Sequence, residues 1–167
     1  MNNNLKIKDF ITPIAVNTAG YFVNDMFKRK FKSKAPERGY HLVAFYRHNN
    51  HYLPVGYLHY SPYVKCLLVG GGMTDGNVIK MMKDEEKKAI ADENGILKFM
   101  LKYGFEYFAD NCIAFFGHID IPRSMEVSLE AGFQETKYKY LVANFHKPIS
   151  KWKKHRLIET LNKVGSF

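Results

Sequence analysis

Two apolar runs constrain the topology of this chain more than any other feature. "YVKCLLVGGG" (Tyr63 to Gly72) and "NCIAFFGHI" (Asn111 to Ile119) read as buried strands. The first is apolar enough to be covered on both faces. A long helix is expected between them, from about Gly95 to Phe108, because Ile96, Phe99, Met100, Tyr103 and Tyr107 keep helical spacing. Leu97, Leu101, Phe105 and Phe108 widen that stripe, which fits a helix packed on a sheet. A strand–helix–strand crossover of this length makes its two strands parallel neighbours.

The remaining elements complete a mixed α/β pattern. Thr12-Pro13 reads as a helix start, with Thr as cap and Pro at the first helical position, and the helix runs to about Phe27. "YHLVAFYR" (Tyr40 to Arg47) and "HYLPVGYLHY" (His51 to Tyr60) read as a hairpin turned by "HNN". Pro54 and Gly56 imply a bend or bulge and place that strand at an edge or rim. Met73 to Asn77 reads as irregular, followed by a short charged helix near Lys83 to Ala91. Pro122 to Ala131 forms a short helix stopped by Gly132. "KYKYLVANFH" (Lys137 to His146) is the last strand, and Ser150 caps a terminal helix with Leu157, Leu161 and Val164 on its apolar face. The expected domain spans residues 1–147, with a basic amphipathic helix over 148–167 docked on it.

Charge and cysteine usage narrow the setting. The formal net charge of +9 attracts polyanions: nucleic acid, acidic lipid or a phosphorylated cofactor. The bases gather at Lys28-Arg29-Lys30, Lys32 and Lys34, and again from Lys151 to Arg156, where Trp152 interleaves with them. Two solvated faces are the simplest account of these clusters, and nucleic-acid binding is the alternative. Cys66 and Cys112 lie in apolar runs and read as buried free thiols of a reducing compartment. No run is long enough to span a membrane. "MNNNLKIKDF" lacks the apolar core of a signal peptide, so a cytoplasmic protein without membrane contact is expected. His48 and His51 sit on a turn without further ligands, and no metal is expected.

Two stretches carry a resemblance to a known family. "RSMEVSLEAGF" (Arg123 to Phe133) resembles the short helix and Gly-Phe turn near the end of GCN5-related N-acetyltransferase (GNAT) domains. "ENGILKFML", from Glu93, falls where that family carries its phosphate loop and following helix. The order of elements agrees from about Ile7 to His146. The resemblance implies a GNAT-like fold: a mixed, mostly antiparallel central sheet with a parallel, splayed strand pair and helices on both faces. It also implies an acyl-CoA-dependent N-acyltransferase, taking acetyl from acetyl-CoA to an amine by direct attack. The acceptor would be a small-molecule or peptide amine, and a homodimer is compatible with the terminal helix. Leu68, Val69, Gly70 and Gly71 would meet the pantetheine arm. Asn94, Gly95, Ile96 and Leu97 would meet the pyrophosphate at a helix N-terminus. Arg123 and Ser124 would lie beside the cofactor, with Arg123 placed to pair with a phosphate or to lie in solvent.

The departures from the family pattern are specific. Asp92 stands where the family has Gln or Arg, and Leu97 where it has Gly or Ala. Ser128 replaces a Tyr that would serve the leaving thiolate. Cofactor contacts are therefore expected to be altered. A catalytically degenerate binding module for a CoA derivative or a macromolecule is the alternative. Asp75 is read either as a general base or as a turn former in "GGGMTDG". His59, and similarly His118, are read as titratable groups facing the acceptor or as ordinary sheet histidines. Tyr138 and Tyr140 would replace the missing tyrosine or pack on the sheet.

Overall fold

A computed structural model describes residues 5–167; the first four residues, part of the stretch read for a signal peptide, lie outside the described range. Seven strands form one sheet: β1 (Ile11–Val16), β2 (Tyr40–His48), β3 (His51–Tyr63), β4 (Cys66–Thr74), β5 (Ala114–His118), β6 (Gln134–Glu135) and β7 (Leu141–Asn144). Their spatial order is β1-β2-β3-β4-β5-β7-β6. β4 and β5 are parallel, and the other neighbours are antiparallel. This is the mixed sheet with one parallel pair that the crossover and the family resemblance imply.

Among the described residues, six α-helices cover the sheet: α1 (Gly20–Phe31), α2 (Gly76–Met81), α3 (Asp84–Asp92), α4 (Ile96–Tyr107), α5 (Pro122–Ala131) and α6 (Lys151–Val164). On one face, Met100 and Leu101 of α4 and Val127 of α5 pack with Leu42, Tyr60, Leu67 and Phe115. On the other, Val23, Met26 and Phe27 of α1 pack on Val43, Phe45, Tyr57 and Met73. Leu161 of α6 closes on Leu68, Phe116 and Leu141. Strand alternation shows that α1 and α6 share a face. Tyr57, His59 and Ser61 point the same way, and Ser61 pairs with Leu68, which lies under α6.

Several elements differ from the sequence reading, each for a local reason. Residues 11–16 are not the start of a helix but strand β1, paired with β2 from Ile11↔Tyr46 to Val16↔His41. Ile11, Thr12, Ile14 and Val16 are β-branched, and burial alternates from Ile11 to Ile14. Pro13 is tolerated because β1 is an edge strand. The helix begins later, at Gly20, with no side-chain cap. β3 is central, not an edge. Pro54 is accommodated because the β2–β3 register slips between Ala44 and Phe45, leaving Val55 unpaired as a bulge. The "HNN" turn is a two-residue hairpin with Asn49 and Asn50 both left-handed (φ 46° and 63°). The segment after Asp75 is helical (α2) where an irregular path was expected. β7 starts only at Leu141, because Thr136 Oγ1 donates to the Leu141 carbonyl at 2.7 Å and holds residues 136–141 in a turn.

Cys66 and Cys112 are buried and free, and burial raises their thiols to about 12 and about 11. They stay protonated near neutral pH and act as small apolar side chains. Among the described residues, no helix is long and apolar enough to cross a membrane.

Candidate active site

The parallel pair parts early. β4 and β5 remain in register from Cys66↔Ala114 to Val69↔Gly117 and then separate. On its other edge β4 carries a bulge. Tyr57 pairs with Met73 and His59 with Gly70, so Gly71 and Gly72 together oppose Leu58. Gly71 sits at φ +62°, in the left-handed region, which explains a glycine there. The widening gap opens into a cleft of about 450 Å³. Gly70, Gly71 and Gly72 form one wall, Gly117 to Ile121 another, and α4 and α5 the floor.

At the rim, only Glu93, Asn94 and Gly95 separate the end of α3 from the start of α4. The Asn94 amide donates to the Ala91 carbonyl and the Gly95 amide to the Ile90 carbonyl, both at 2.9 Å, which closes the C-terminus of α3. Asn94 (φ +60°) and Gly95 (φ +106°) then reverse the chain into α4. No side chain caps α4. The first-turn amides of a helix have no intrahelical partner, so here they face the cleft as an anion seat with a positive dipole end.

Charged side chains surround this seat in a fixed pattern. Asn94 Nδ2 and Lys98 Nζ both donate to Glu130 Oε2, each at 2.7 Å. These contacts hold the Glu130 carboxyl below the usual carboxylate range. Arg123 donates to Asn94 Oδ1 and pairs with Glu126 at 2.7 Å. Asp92 turns away from the cleft and pairs with Lys88 one helical turn back, at 2.6 Å. Leu97 lines the cleft beside Gly72.

The expected site residues fall into two groups. Val69, Gly70 and Gly71, Asn94 to Leu97, and Arg123 and Ser124 all line this one cleft. Leu68 does not. It lies in the still-paired part of β4, bonded on both edges, with its side chain under α6.

The residues read as catalytic are not brought together. Ser128 is buried and lines the cleft. Asp75 is the cap of α2, accepting from the Asn77 amide at 3.0 Å and from Arg29 at 2.5 Å. Its local role is therefore to hold the turn and tie it to α1. Tyr138 donates to Glu159 of α6 at 2.7 Å, away from the cleft. Tyr140 lies half-exposed beside His118.

His59 lies on the α1 face of the sheet, with its Cβ below Gly71. Its Nε2 donates to the Arg38 carbonyl at 2.6 Å, leaving the Nδ1 lone pair toward Ser61. It stacks on His41, which is fully buried and bonded through Nδ1 to the Tyr57 hydroxyl at 2.8 Å. Burial first, and then the His59 charge, push the His41 imidazole below its ordinary pKa. The unfolded chain therefore binds a proton at His41 before the folded one does, and stability falls as pH drops below about 6.5. Between about pH 7.5 and about pH 5.5, thermal unfolding of the wild type is expected to lose more than that of a His41→Asn variant. Parallel losses would show that His41 does not carry the effect.

Of the two histidines read from the sequence, His118 lines the cleft and His59 does not. Sequence reasoning missed three other parts of it: Asp120, which lines it directly, Ile79 of α2 with Ile90 of α3, and Phe167. Phe167, far away in sequence, lies against Gly70. Asp120, two residues past His118, could have been found from the same strand end; nothing local in the sequence points to Phe167.

The sequence matches no protein-family model and no curated protein sequence. Solved structures do match. A domain from Methanocaldococcus jannaschii DSM 2661 aligns at TM-score 0.51 and 12% identity, covering 81% of this chain and 99% of that one. An acetyltransferase of the GNAT family from Staphylococcus aureus Mu50 aligns at 0.44 and 15%, covering 82% and 99%. A GNAT-family acetyltransferase from Bacillus anthracis aligns at 0.45 and 13%, covering 77% and 87%. At these identities the likeness is one of fold.

Proposed function

We propose that this protein is an acyl-CoA-dependent N-acyltransferase that moves an acetyl group to an amine. The observation that supports this most is the junction of two features in one cleft. A parallel strand pair parts at Val69/Gly117, and an uncapped helix N-terminus at Gly95 stands on the rim. The first offers unpaired strand edge to an amide-bearing arm. The second offers backbone donors to a pyrophosphate. Gly70 to Gly72 let a thioester approach the backbone closely, and an amide there can face the developing oxyanion.

The acceptor meets the thioester in the cleft beside Gly70 to Gly72. Its neutral amine attacks the thioester carbonyl, a C–N bond forms and the C–S bond breaks. The amine must lose a proton, and His118 is the imidazole that lines the cleft. His118 takes that proton, while the Ser128 hydroxyl hydrogen-bonds the leaving sulfur. The net charge of +9 favours an acceptor with negative charge elsewhere in the molecule, a small molecule or a peptide.

Titration calorimetry with acetyl-CoA tests the reading, alongside thiol release from acetyl-CoA over a panel of amines. Binding together with amine-dependent release is the expected result. No heat at millimolar nucleotide would overturn it. Binding without turnover on any amine would favour a binding module that has lost catalysis, a reading that Ser128 in place of a phenol already supports.

A further inference from the structure

We infer that the segment after α6 forms the end wall of the cleft, and that Phe167 sets which acyl groups the site admits. This inference rests on the acyltransferase reading above and adds the acyl specificity.

The geometry begins at Gly165. It has φ +83° and ψ −153°, a conformation closed to other residues, and it turns the chain back from the end of α6 toward the sheet. Phe167 then reaches Gly70, the first β4 residue beyond the paired part of the β4–β5 ladder. Its backbone is so close that a methyl group placed on Gly70 would lie 3.0 Å from the Phe167 oxygen and 3.2 Å from its carbonyl carbon. The space over Gly70 is therefore less than one methyl group deep. The Phe167 ring meets His118 edge-on, with centroids 6.2 Å apart, on the opposite wall. One residue thus spans from β4 to β5 across the point where the strands part.

That point belongs to the same cleft as the phosphate seat: Gly95 on the rim and Gly70, Gly117 and Phe167 all line it. An acyl chain carried on the thioester must end near Phe167. With the residue in place, a two-carbon acyl group fits beside Gly71, and each added methylene runs into the Phe167 backbone and ring. Phe167 is only partly buried and lies at the margin of the cluster around Leu161, so its replacement by alanine is expected to leave α6 docked.

The test compares Kd for CoA, acetyl-CoA and hexanoyl-CoA by calorimetry in the wild type, Phe167→Ala and Gly165→Pro. Proline at position 165 cannot adopt φ +83° and diverts the tail without truncating it. The wild type is expected to bind acetyl-CoA at least ~10-fold tighter than hexanoyl-CoA. Both variants should reduce that ratio to near unity, through tighter hexanoyl-CoA binding, with the affinity for CoA itself unchanged. Thermal unfolding of Phe167→Ala should stay within a few degrees of wild type. If CoA binds and the acyl ratio is the same in all three proteins, Phe167 does not set specificity. A wild type that already binds hexanoyl-CoA as well as acetyl-CoA overturns the inference in the same way. Absence of CoA binding in every protein overturns the acyltransferase reading and this inference with it.

Discussion

Gly104→Ala is expected to destabilise the protein by about 2–3 kcal/mol, against the usual direction for glycine in a helix. An exposed helical glycine replaced by alanine gains up to ~1 kcal/mol. Here an added Cβ would stand 1.9 Å from the Tyr60 hydroxyl and 2.7 Å from its Cζ. Tyr60 is fully buried between Phe108 and Phe115, so its ring has no room to retreat. Its hydroxyl has no hydrogen-bond partner among the described residues, and burial pushes its pKa well above that of a free phenol. The hydroxyl therefore contributes no bond and fixes the spacing of α4 over β3. Tyr60→Phe alone should be neutral or slightly stabilising, because it removes an unpaired buried polar group. On that background the cost of Gly104→Ala should shrink but not vanish, since the ring carbon remains close. Urea unfolding of the four proteins closes the cycle. A Gly104→Ala protein as stable as wild type would mean that α4 does not sit on Tyr60 as described.

Much of this architecture is legible in the sequence where a single physical signal acts alone. The stripe from Ile96 to Tyr107 has one period and one apolar face, and the helix forms there. Pro122 and Gly132 bracket α5 because each acts through local backbone geometry. Residues 11–16 misled because a Thr-Pro pair is a helix-start signal, while β-branched Ile11, Ile14 and Val16 prefer a strand. The open edge of β2 decided between them. Pro54 misled for a related reason: a bulge in β2–β3 frees the position that a proline needs in a central strand.

The candidate site divides along the same line. The Gly70–Gly72 wall and the Asn94–Leu97 rim are contiguous in sequence and could be read directly. Asp75 and Tyr138 are chemically suggestive residues whose partners, Arg29 and Glu159, lie on distant helices. No sequence pattern reports those contacts, and they direct both side chains to structural ends. Phe167 reaches Gly70 only because α6 docks under β4, β5 and β7, a tertiary fact.

Gly95→Val is expected to weaken CoA binding at least ~10-fold, whereas Asp92→Asn should change it less than ~2-fold. Both residues flank the same helix start, so the pair separates backbone geometry from side-chain charge. Gly95 has φ +106° and ψ 161°, a region where side chains are strained by about 1–3 kcal/mol. A Cβ there meets nothing within 4 Å, so the penalty is conformational and not a clash. The chain relieves it by rotating the 94–96 backbone. That motion turns the first-turn amides of α4 away from the phosphate position and breaks the Gly95–Ile90 bond that closes α3.

Asp92 carries charge but is turned aside. Its exposed pair with Lys88 contributes little, and screening by salt leaves a small effect at the cleft. Calorimetry with CoA, with thermal unfolding as a control for the strain, reads the two effects separately. A Gly95→Val protein that remains folded and binds CoA like wild type would reduce this helix start to a structural joint. Tighter binding by Asp92→Asn alone, in contrast, would mean that the acid faces the phosphates and that the substituted loop limits affinity through charge.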